Sequence, residues 1–143
     1  MKNNTLFAYM LMCILLLNMQ CDTDETITIE PCGLDIIIDD LAYNESEGYA
    51  INEVVIENDC ITLGISGSGC DSDNWVMTLI DSGNVAESLP PQRYLKLDLT
   101  NNEVCLAFFT KYEEFDLSPL RVDGLNEVLL NIEGFSEPLL YTY

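Results

Sequence analysis

The sequence contains no histidine and few basic residues. Its 143 residues include 5 Lys and Arg against 25 Asp and Glu, a formal charge of −20. Without imidazole, Ser-His-Asp and Cys-His catalytic schemes are excluded, and so are histidine metal ligands. The acidic balance opposes binding to nucleic acid and to anionic membrane surfaces, because both carry charge of the same sign. We therefore expect no nucleic-acid partner.

An apolar run long enough to span a bilayer is also missing. The run at residues 6–17 has 12 apolar residues, whereas a spanning helix needs about 20. The run follows a short segment with one cation, Lys2, and is followed by the polar stretch 18–20. This pattern is typical of a signal peptide, which we assign to residues 1–20. The mature chain is then expected outside the cytoplasm.

Cys21 directly follows this segment. Its position resembles the lipobox of bacterial lipoproteins, although Leu17 lies four residues before the cysteine rather than three, and Met19 and Gln20 are large. The resemblance implies lipidation at Cys21 and anchoring to a cell-envelope membrane, with residues 21–31 as a lipidated acidic tether. The alternative is a secreted protein with an unmodified cysteine. Three of the residues 22–25 are acidic. This cluster resembles the surface-export signal of Bacteroidota-type lipoproteins and is equally typical of a charged spacer. Both the periplasmic and the surface-exposed location therefore remain open.

The remaining cysteines are even in number. With Cys13 in the signal segment and Cys21 lipidated, four are left, which predicts two disulfides. We favour Cys32–Cys60 and Cys70–Cys105, because each closes a loop of about thirty residues and contributes roughly 3–4 kcal/mol in the chain-entropy model. Cys60–Cys70 is the competing pairing. A four-cysteine zinc site is disfavoured because the spacing lacks C-x-x-C.

Alternating apolar and polar residues predict strands after residue 32. Ile61, Leu63 and Ile65 alternate with smaller or polar residues, the period of a half-buried strand. Short strands of this kind with turns between them predict an all-β fold, an antiparallel β-sandwich of about eight strands over residues 32–143. Segments 104–112 and 127–133 are apolar enough to be predicted as central strands. Turns are predicted at residues 66–69 and 81–84. A helix is expected only within 113–126, where Pro119 shortens it. The other predicted strands are 34–38, 49–57, 75–80, 94–99 and 139–143.

Four segments of the second half carry a family resemblance: GCDSDNW at 69–75, ESLPPQ at 87–92, CLA at 105–107 and FDLSPL at 115–120. In this order they resemble segments of small uncharacterised Bacteroidota-type lipoproteins and, more distantly, the C-terminal β-sandwich of NigD-like proteins. The resemblance covers about residues 50–143 and implies an extracytoplasmic, disulfide-bonded β-sandwich without an assigned activity. These proteins often have a histidine where this chain has Ser72 or Asp73, so imidazole metal binding is not implied here.

Two candidate ligand sites follow from the residues. Asp71, Asp73 and Asn74 place three oxygen-bearing side chains in one loop, and calcium takes oxygen ligands; a plain Asx turn explains the same residues. Aromatic side chains offer a platform for a glycan, or ordinary packing within the sheets. They are Tyr43, Tyr49, Trp75, Tyr94, Tyr112, Tyr141 and Tyr143.

The sequence predicts a non-enzymatic structural or interaction role in the cell envelope, with a protein or glycan partner. A calcium- or glycan-binding module is the alternative, and no other cofactor is expected. A small secreted hydrolase is the least favoured function: paired carboxylates can hydrolyse glycosides, but with 25 acidic residues their occurrence by chance is expected.

Overall fold

The computed structural model describes residues 32–143. The predicted signal peptide (1–20), the predicted tether (21–31) and Cys21 lie outside these residues. The described chain forms eight strands, one short α-helix and one 3-10 turn at Ser118–Leu120. In chain order the α-helix and strands are β1 (Ile37–Ile38), α1 (Asp40–Glu45), β2 (Glu53–Glu57), β3 (Cys60–Gly69), β4 (Val76–Ala86), β5 (Gln92–Thr100), β6 (Ala107–Asp116), β7 (Glu127–Ile132) and β8 (Leu139–Thr142).

Two sheets share these strands. One has five strands in the order β1-β4-β5-β7-β8, and the other has three in the order β2-β3-β6. A single apolar core lies between them: Ile61, Leu63 and Ile65 of the smaller sheet pack with Leu95 and Leu97 of the larger one, all without exposed surface. The predicted all-β, disulfide-bonded sandwich is confirmed, because alternate residues of both sheets supply one shared core.

The larger sheet is mixed. Strand β5 runs parallel to β7, and β1 runs parallel to β4, whereas all pairings in the smaller sheet are antiparallel. Antiparallel pairing throughout was predicted from the sequence, and this prediction is wrong for these two pairs. The chain leaves β5, forms β6 in the opposite sheet and then returns to the first sheet as β7. This crossover reverses the chain twice, so β7 arrives in the same direction as β5.

Both disulfides have the favoured pairing. Cys32 is bonded to Cys60 and Cys70 to Cys105. The first ties the start of the described chain to β3, and the second joins the loops that follow β3 and precede β6. The competing Cys60–Cys70 pairing is excluded, because these cysteines begin and follow the same extended strand.

A helix forms where none was expected. Helix α1 begins after Asp39, whose side chain accepts a hydrogen bond from the backbone N–H of Ala42 at 2.8 Å. Asp39 is therefore the N-cap of α1. Within the predicted 113–126 stretch, β6 continues to Asp116 and only the 3-10 turn follows. None of the helices in the described part of the chain is long and apolar enough to cross a membrane.

Residues 66–69 do not form the predicted turn but extend β3. Gly67 and Gly69 point to the interior, where a side chain has no room: a Cβ at Gly67 lies 2.7 Å from Tyr49 Oη and 3.1 Å from Trp75 Cη2. Glycine in a strand here serves close approach of neighbouring groups. Residues 81–84 likewise stay within β4, where a register shift between Asp81 and Val85 absorbs them.

Of the two strands predicted to be central, one is central and the other lies at the edge of its sheet. Strand β7 lies between β5 and β8 and is central, as expected. Strand β6 lies at the edge of the smaller sheet, although Leu34 forms an isolated bridge to Phe115 at its end. Residues 104–108 are exposed, with Leu106 at 93% and Phe108 at 73%, and residues 104–106 precede β6. The apolar run therefore did not predict the position of the strand, because edge or central position depends on backbone pairing rather than on side-chain polarity.

Candidate functional site

A cleft of about 300 Å³ lies on the outer face of the five-stranded sheet. We call it the tyrosine cleft; it is lined by Tyr43, Tyr94 and residues of the segment 131–138. Tyr94 belongs to β5, where it alternates with the buried Leu95 and is 40% exposed. Period-two alternation therefore places Tyr94 on the side of the sheet that faces away from the core.

Strands β5 and β7 bring two lining residues together. Tyr94 and Asn131 are register partners in this parallel pair. The side-chain amide of Asn131 donates to Gln92 Oε1 at 3.1 Å and to the carbonyl of Arg93 at 3.3 Å. These bonds hold the Asn131 side chain beside Tyr94, so an amide lies next to an exposed aromatic ring.

Helix α1 supplies Tyr43, and polar contacts fix the end of the helix to β5. Ser46 follows the helix, and its hydroxyl donates to Asp98 Oδ1 at 3.0 Å. Lys96 Nζ donates to the Ser46 carbonyl at 3.0 Å. Since Lys96 and Asp98 are both on β5, the tyrosines of the cleft are held by one bonded framework.

The loop after β7 forms the third wall. The backbone N–H of Phe135 donates to the Ile132 carbonyl at 3.1 Å. Gly134 within this turn has φ of +84°, a conformation that glycine adopts without steric cost. The turn brings the following residues, including Glu137, back over the sheet to line the cleft.

Charge in and behind the cleft is unevenly compensated. Lys96 Nζ lies 3.5 Å from Glu133 Oε2 and 4.7 Å from the centroid of the Tyr43 ring. Burial, followed by the Glu133 carboxylate, raises the pKa of the Tyr43 hydroxyl. Glu137 takes part in none of the ion pairs formed among residues 32–143. The cleft therefore carries a partly compensated carboxylate and an uncompensated one.

The predicted calcium loop is an Asx turn. Asp71 Oδ1 accepts the backbone N–H of Asp73 at 3.0 Å, and Asp71, Asp73 and Asn74 are all exposed. Over residues 32–143, no group of three or more acidic or cysteine side chains is placed to hold a metal ion. The alternative interpretation as a turn accounts for the observed contacts, and the calcium site gains no support.

The predicted aromatic residues do not form one platform. Trp75 and Tyr141 are buried in the core, and Tyr49 and Tyr143 are partly buried against it. Tyr112 lies on the opposite sheet, where it donates to Glu53 Oε2 at 3.0 Å and lines a separate depression of about 410 Å³. Tyr141 and Tyr143 contact each other against the core, with ring centroids 5.0 Å apart. Tyr43 and Tyr94 are the two predicted aromatic residues that line one open cleft. We favour the cleft of Tyr43 and Tyr94 over the larger depression, because three aromatic rings line the cleft and one lines the depression.

Sequence reasoning missed the polar members of the cleft. Asn131 and Glu133 appear in the sequence as polar positions of the predicted strand 127–133, and Glu137 is one of 25 acidic residues. No local signal separates them from ordinary surface residues. Their proximity to Tyr43 arises from the packing of α1 against the larger sheet.

Comparisons with known proteins address the fold. No family model and no curated protein match the sequence. A solved structure of a protein of unknown function (DUF1344) from Bacteroides vulgatus ATCC 8482 superposes with a TM-score of 0.51 and 12% identity. The match covers 76% of this chain and 56% of that protein. At this identity the likeness extends to the fold alone. The chain is thus similar in fold to an uncharacterised Bacteroidota protein, while the NigD-like resemblance stays a prediction.

Proposed function

We propose that the protein is a non-enzymatic binding module of the bacterial cell envelope, anchored by lipid at Cys21, with its ligand site in the tyrosine cleft. The observation that carries the binding role is the convergence of two tyrosine rings, an amide and two carboxylates on one open surface. Binding sites combine apolar and aromatic surface with a few polar groups that fix orientation, and the tyrosine cleft has this composition.

An extracytoplasmic location is supported by the disulfides. Two disulfides join all four cysteines of residues 32–143, and disulfides persist in oxidising compartments. The charge of the chain after residue 20 is −21, with 25 acidic residues and four cations. Such a body is repelled by anionic headgroups, so a lipid at Cys21 would hold the protein without electrostatic help. Two or more acyl chains suffice for stable anchoring.

The anchor is tested by labelling the protein in a bacterial host with an alkyne-bearing fatty acid. Wild type and Cys13→Ser are expected to incorporate label and to partition with membranes. Cys21→Ser is expected to lose both properties. Cys13→Ser is the matched control, because it also replaces one cysteine with serine. Intact mass of the extracted protein should show loss of residues 1–20 and addition of lipid. Equal labelling of the two variants, or a retained Met1, contradicts the proposal.

The binding role is tested by thermal unfolding with calcium, a chelator and a panel of neutral and charged small molecules. A ligand that binds only the folded state raises the melting temperature by mass action. We expect a shift that disappears in Tyr94→Leu and persists in Tyr112→Leu, the exposed tyrosine of the opposite sheet. A shift that persists in both variants places the ligand elsewhere and contradicts the assignment to the cleft.

A glycan is the second candidate ligand. The exposed Tyr94 ring lies beside the Asn131 side chain, and sugars use both stacking surface and hydrogen-bonding groups. Neutral mono- and oligosaccharides therefore belong in the panel. Binding of a neutral sugar that depends on Tyr94 supports this ligand class.

A further inference from the structure

We propose that the tyrosine cleft recognises an organic cation, an alkylammonium group carried on a small molecule or a peptide side chain. This inference rests on the proposed binding role and names its ligand class. Three features support it: the aromatic rings of the cleft, the uncompensated carboxylate of Glu137, and the contacts that the Lys96 ammonium makes beside the cleft.

The aromatic rings provide the first attraction. Tyr43, Tyr94 and Phe135 all line the cleft. A cation over the face of such a ring is attracted by its quadrupole, and the attraction strengthens when water is excluded. Tyr43 is partly buried and already carries the Lys96 ammonium over its ring. Tyr94 is 40% exposed, so it is the ring most accessible to a ligand.

Carboxylates select the sign of charge. Glu133 is compensated in part by Lys96, but Glu137 has no ion pair among the described residues. The whole chain carries a charge of −20, which raises the local concentration of cations and repels anions. A neutral ligand can donate hydrogen bonds to the Glu137 carboxylate but leaves its charge uncompensated, whereas an ammonium group both donates to it and compensates its charge.

Lys96 shows how an ammonium group is held at this place. Its Nζ lies 4.7 Å from the Tyr43 ring centroid, 3.5 Å from Glu133 Oε2 and 3.0 Å from the Ser46 carbonyl. An aromatic face, a carboxylate and a carbonyl thus surround one ammonium. Tyr94 and Glu137 offer a second aromatic ring and a second carboxylate on the open side of the cleft. A ligand ammonium can therefore make the same two kinds of contact that Lys96 makes with Tyr43 and Glu133.

The test is calorimetric titration of the full chain in an uncharged detergent. The probes are choline and its uncharged isostere, in which carbon replaces the ammonium nitrogen. Cadaverine and a lysine-containing peptide distinguish a free amine from a protein source, and glucosamine with glucose distinguishes an amino sugar from a neutral one. We expect at least one cation to bind about tenfold more tightly than its uncharged counterpart, as expected for a cation–π contact supported by a carboxylate.

Matched variants locate the binding. Tyr94→Leu and Glu137→Gln are each expected to weaken binding of the cation about tenfold. Tyr112→Leu and Glu87→Gln remove an exposed tyrosine and an exposed carboxylate elsewhere, and they should leave affinity unchanged. Glu137 lies in an exposed loop, so its variant tests the proposal even if Tyr94→Leu is destabilised.

Four results overturn the inference. Three of them are equal binding of the uncharged isostere, equal weakening in the control variants, and no binding of any cation. Tight binding of glucose that depends on Tyr94 also contradicts the assignment of a cation as the ligand, but it supports the cleft as a binding site. Fatty-acid labelling at Cys21 is independent of these results, so failure of the anchor and failure of the ligand class are distinguishable.

Discussion

Arg93 and Asp81 form an ion pair on the core-facing side of the five-stranded sheet. Arg93 Nη1 lies 2.9 Å from Asp81 Oδ1, and the Asp81 side chain has no exposed surface. The backbone N–H of Gly83 donates to the same oxygen at 2.6 Å. Burial raises the pKa of Asp81, and it outweighs the opposing effects of the Gly83 hydrogen bond and the Arg93 charge. The pair therefore places charge where water does not solvate it.

Replacing one partner of this pair is expected to be costly. Arg93→Met keeps an apolar stem but leaves the buried carboxylate without its cation, which costs about 3–5 kcal/mol of unfolding free energy at neutral pH. The double variant Asp81→Leu/Arg93→Met should be more stable than Arg93→Met, because no buried charge remains. Denaturant unfolding measures both. The account is contradicted if the loss of unfolding free energy in the double variant equals the sum of the losses in Asp81→Leu and Arg93→Met.

The cost of Arg93→Met should also depend on pH. A carboxyl group whose pKa is raised by folding favours the folded state in its protonated form. Its stabilising contribution is present below the unfolded pKa of about 4 and is lost as pH rises through the folded value. The deficit of Arg93→Met relative to wild type is therefore expected to shrink as pH falls from 7 towards the pKa of Asp81. A deficit that is constant over this range contradicts the assignment to Asp81.

Tyr141 joins the two sheets through Asp59. The Tyr141 hydroxyl donates to Asp59 Oδ1 at 2.5 Å, and Arg121 Nη2 donates to the same oxygen at 2.6 Å. Tyr141→Phe removes the hydroxyl but keeps the buried ring, so we expect a loss of about 1–2 kcal/mol in unfolding free energy. Tyr112→Phe, which removes an exposed hydroxyl bonded to Glu53, should cost less. Equal losses in the two variants contradict the prediction.

The same contact predicts a pH dependence. The Tyr141 hydrogen bond, followed by that of Arg121, lowers the pKa of Asp59. The stability it contributes is present above the unfolded pKa and is lost as pH falls through the lowered folded value. Burial and the hydrogen bond to Asp59 raise the pKa of Tyr141 to about 12. Its contribution is present below its unfolded pKa and is lost as pH rises through about 12. The Tyr141→Phe deficit should thus be largest at intermediate pH.

We predict that Glu103 titrates well below the usual range of a glutamate side chain. The backbone N–H of Cys70, followed by the indole N–H of Trp75, donates to Glu103 Oε2 at 2.7 and 2.9 Å. These bonds lower the pKa of Glu103 to about 2. The Trp75 indole resonance in an NMR titration should shift with that midpoint, and Glu103→Gln should abolish the transition. Glu113→Gln serves as the control. A midpoint near 4 in wild type contradicts the role of these two hydrogen bonds.

We predict that any side chain at position 67 lowers the unfolding free energy. A Cβ there lies 2.7 Å from Tyr49 Oη, which is itself bonded to the Ser66 carbonyl at 3.1 Å, and 3.1 Å from Trp75 Cη2. Gly67→Ala is expected to lower the unfolding free energy by about 1–3 kcal/mol, the usual cost of overpacking. Ser68→Ala, at an exposed position of the same strand, should be nearly neutral. Comparable losses in both variants contradict the steric explanation.

The strands were predictable where their alternation is local. Ile61, Leu63 and Ile65 alternate along β3, and Val128, Leu130 and Ile132 alternate along β7, so the buried face of each strand follows from period two. The ends of strands were less predictable. Residues 66–69 contain two glycines and two serines, which locally favour a turn, yet the approach of Trp75 and Tyr49 requires small residues within an extended strand.

Helix α1 shows a weaker local signal that was available. Asp39 as N-cap, an acidic residue in the first turn and Leu41-Ala42 as helix formers are all in the sequence. Six residues give too little periodicity to distinguish a helix from a turn. The parallel pairing of β5 with β7 had no signal at all, because it depends on the crossover through the other sheet.

The sequence by itself determined the strand pattern, the excess of acidic charge and the cysteines available for pairing, since each depends on residue type and spacing along the chain. Tertiary structure decided which strands are edges, which tyrosines are exposed and which residues meet at the cleft. Tyr43, Tyr94 and Glu137 come from a helix, a strand and a loop that are distant in sequence. Their proximity is set by the packing of these elements on one sheet, a relationship that no local pattern encodes.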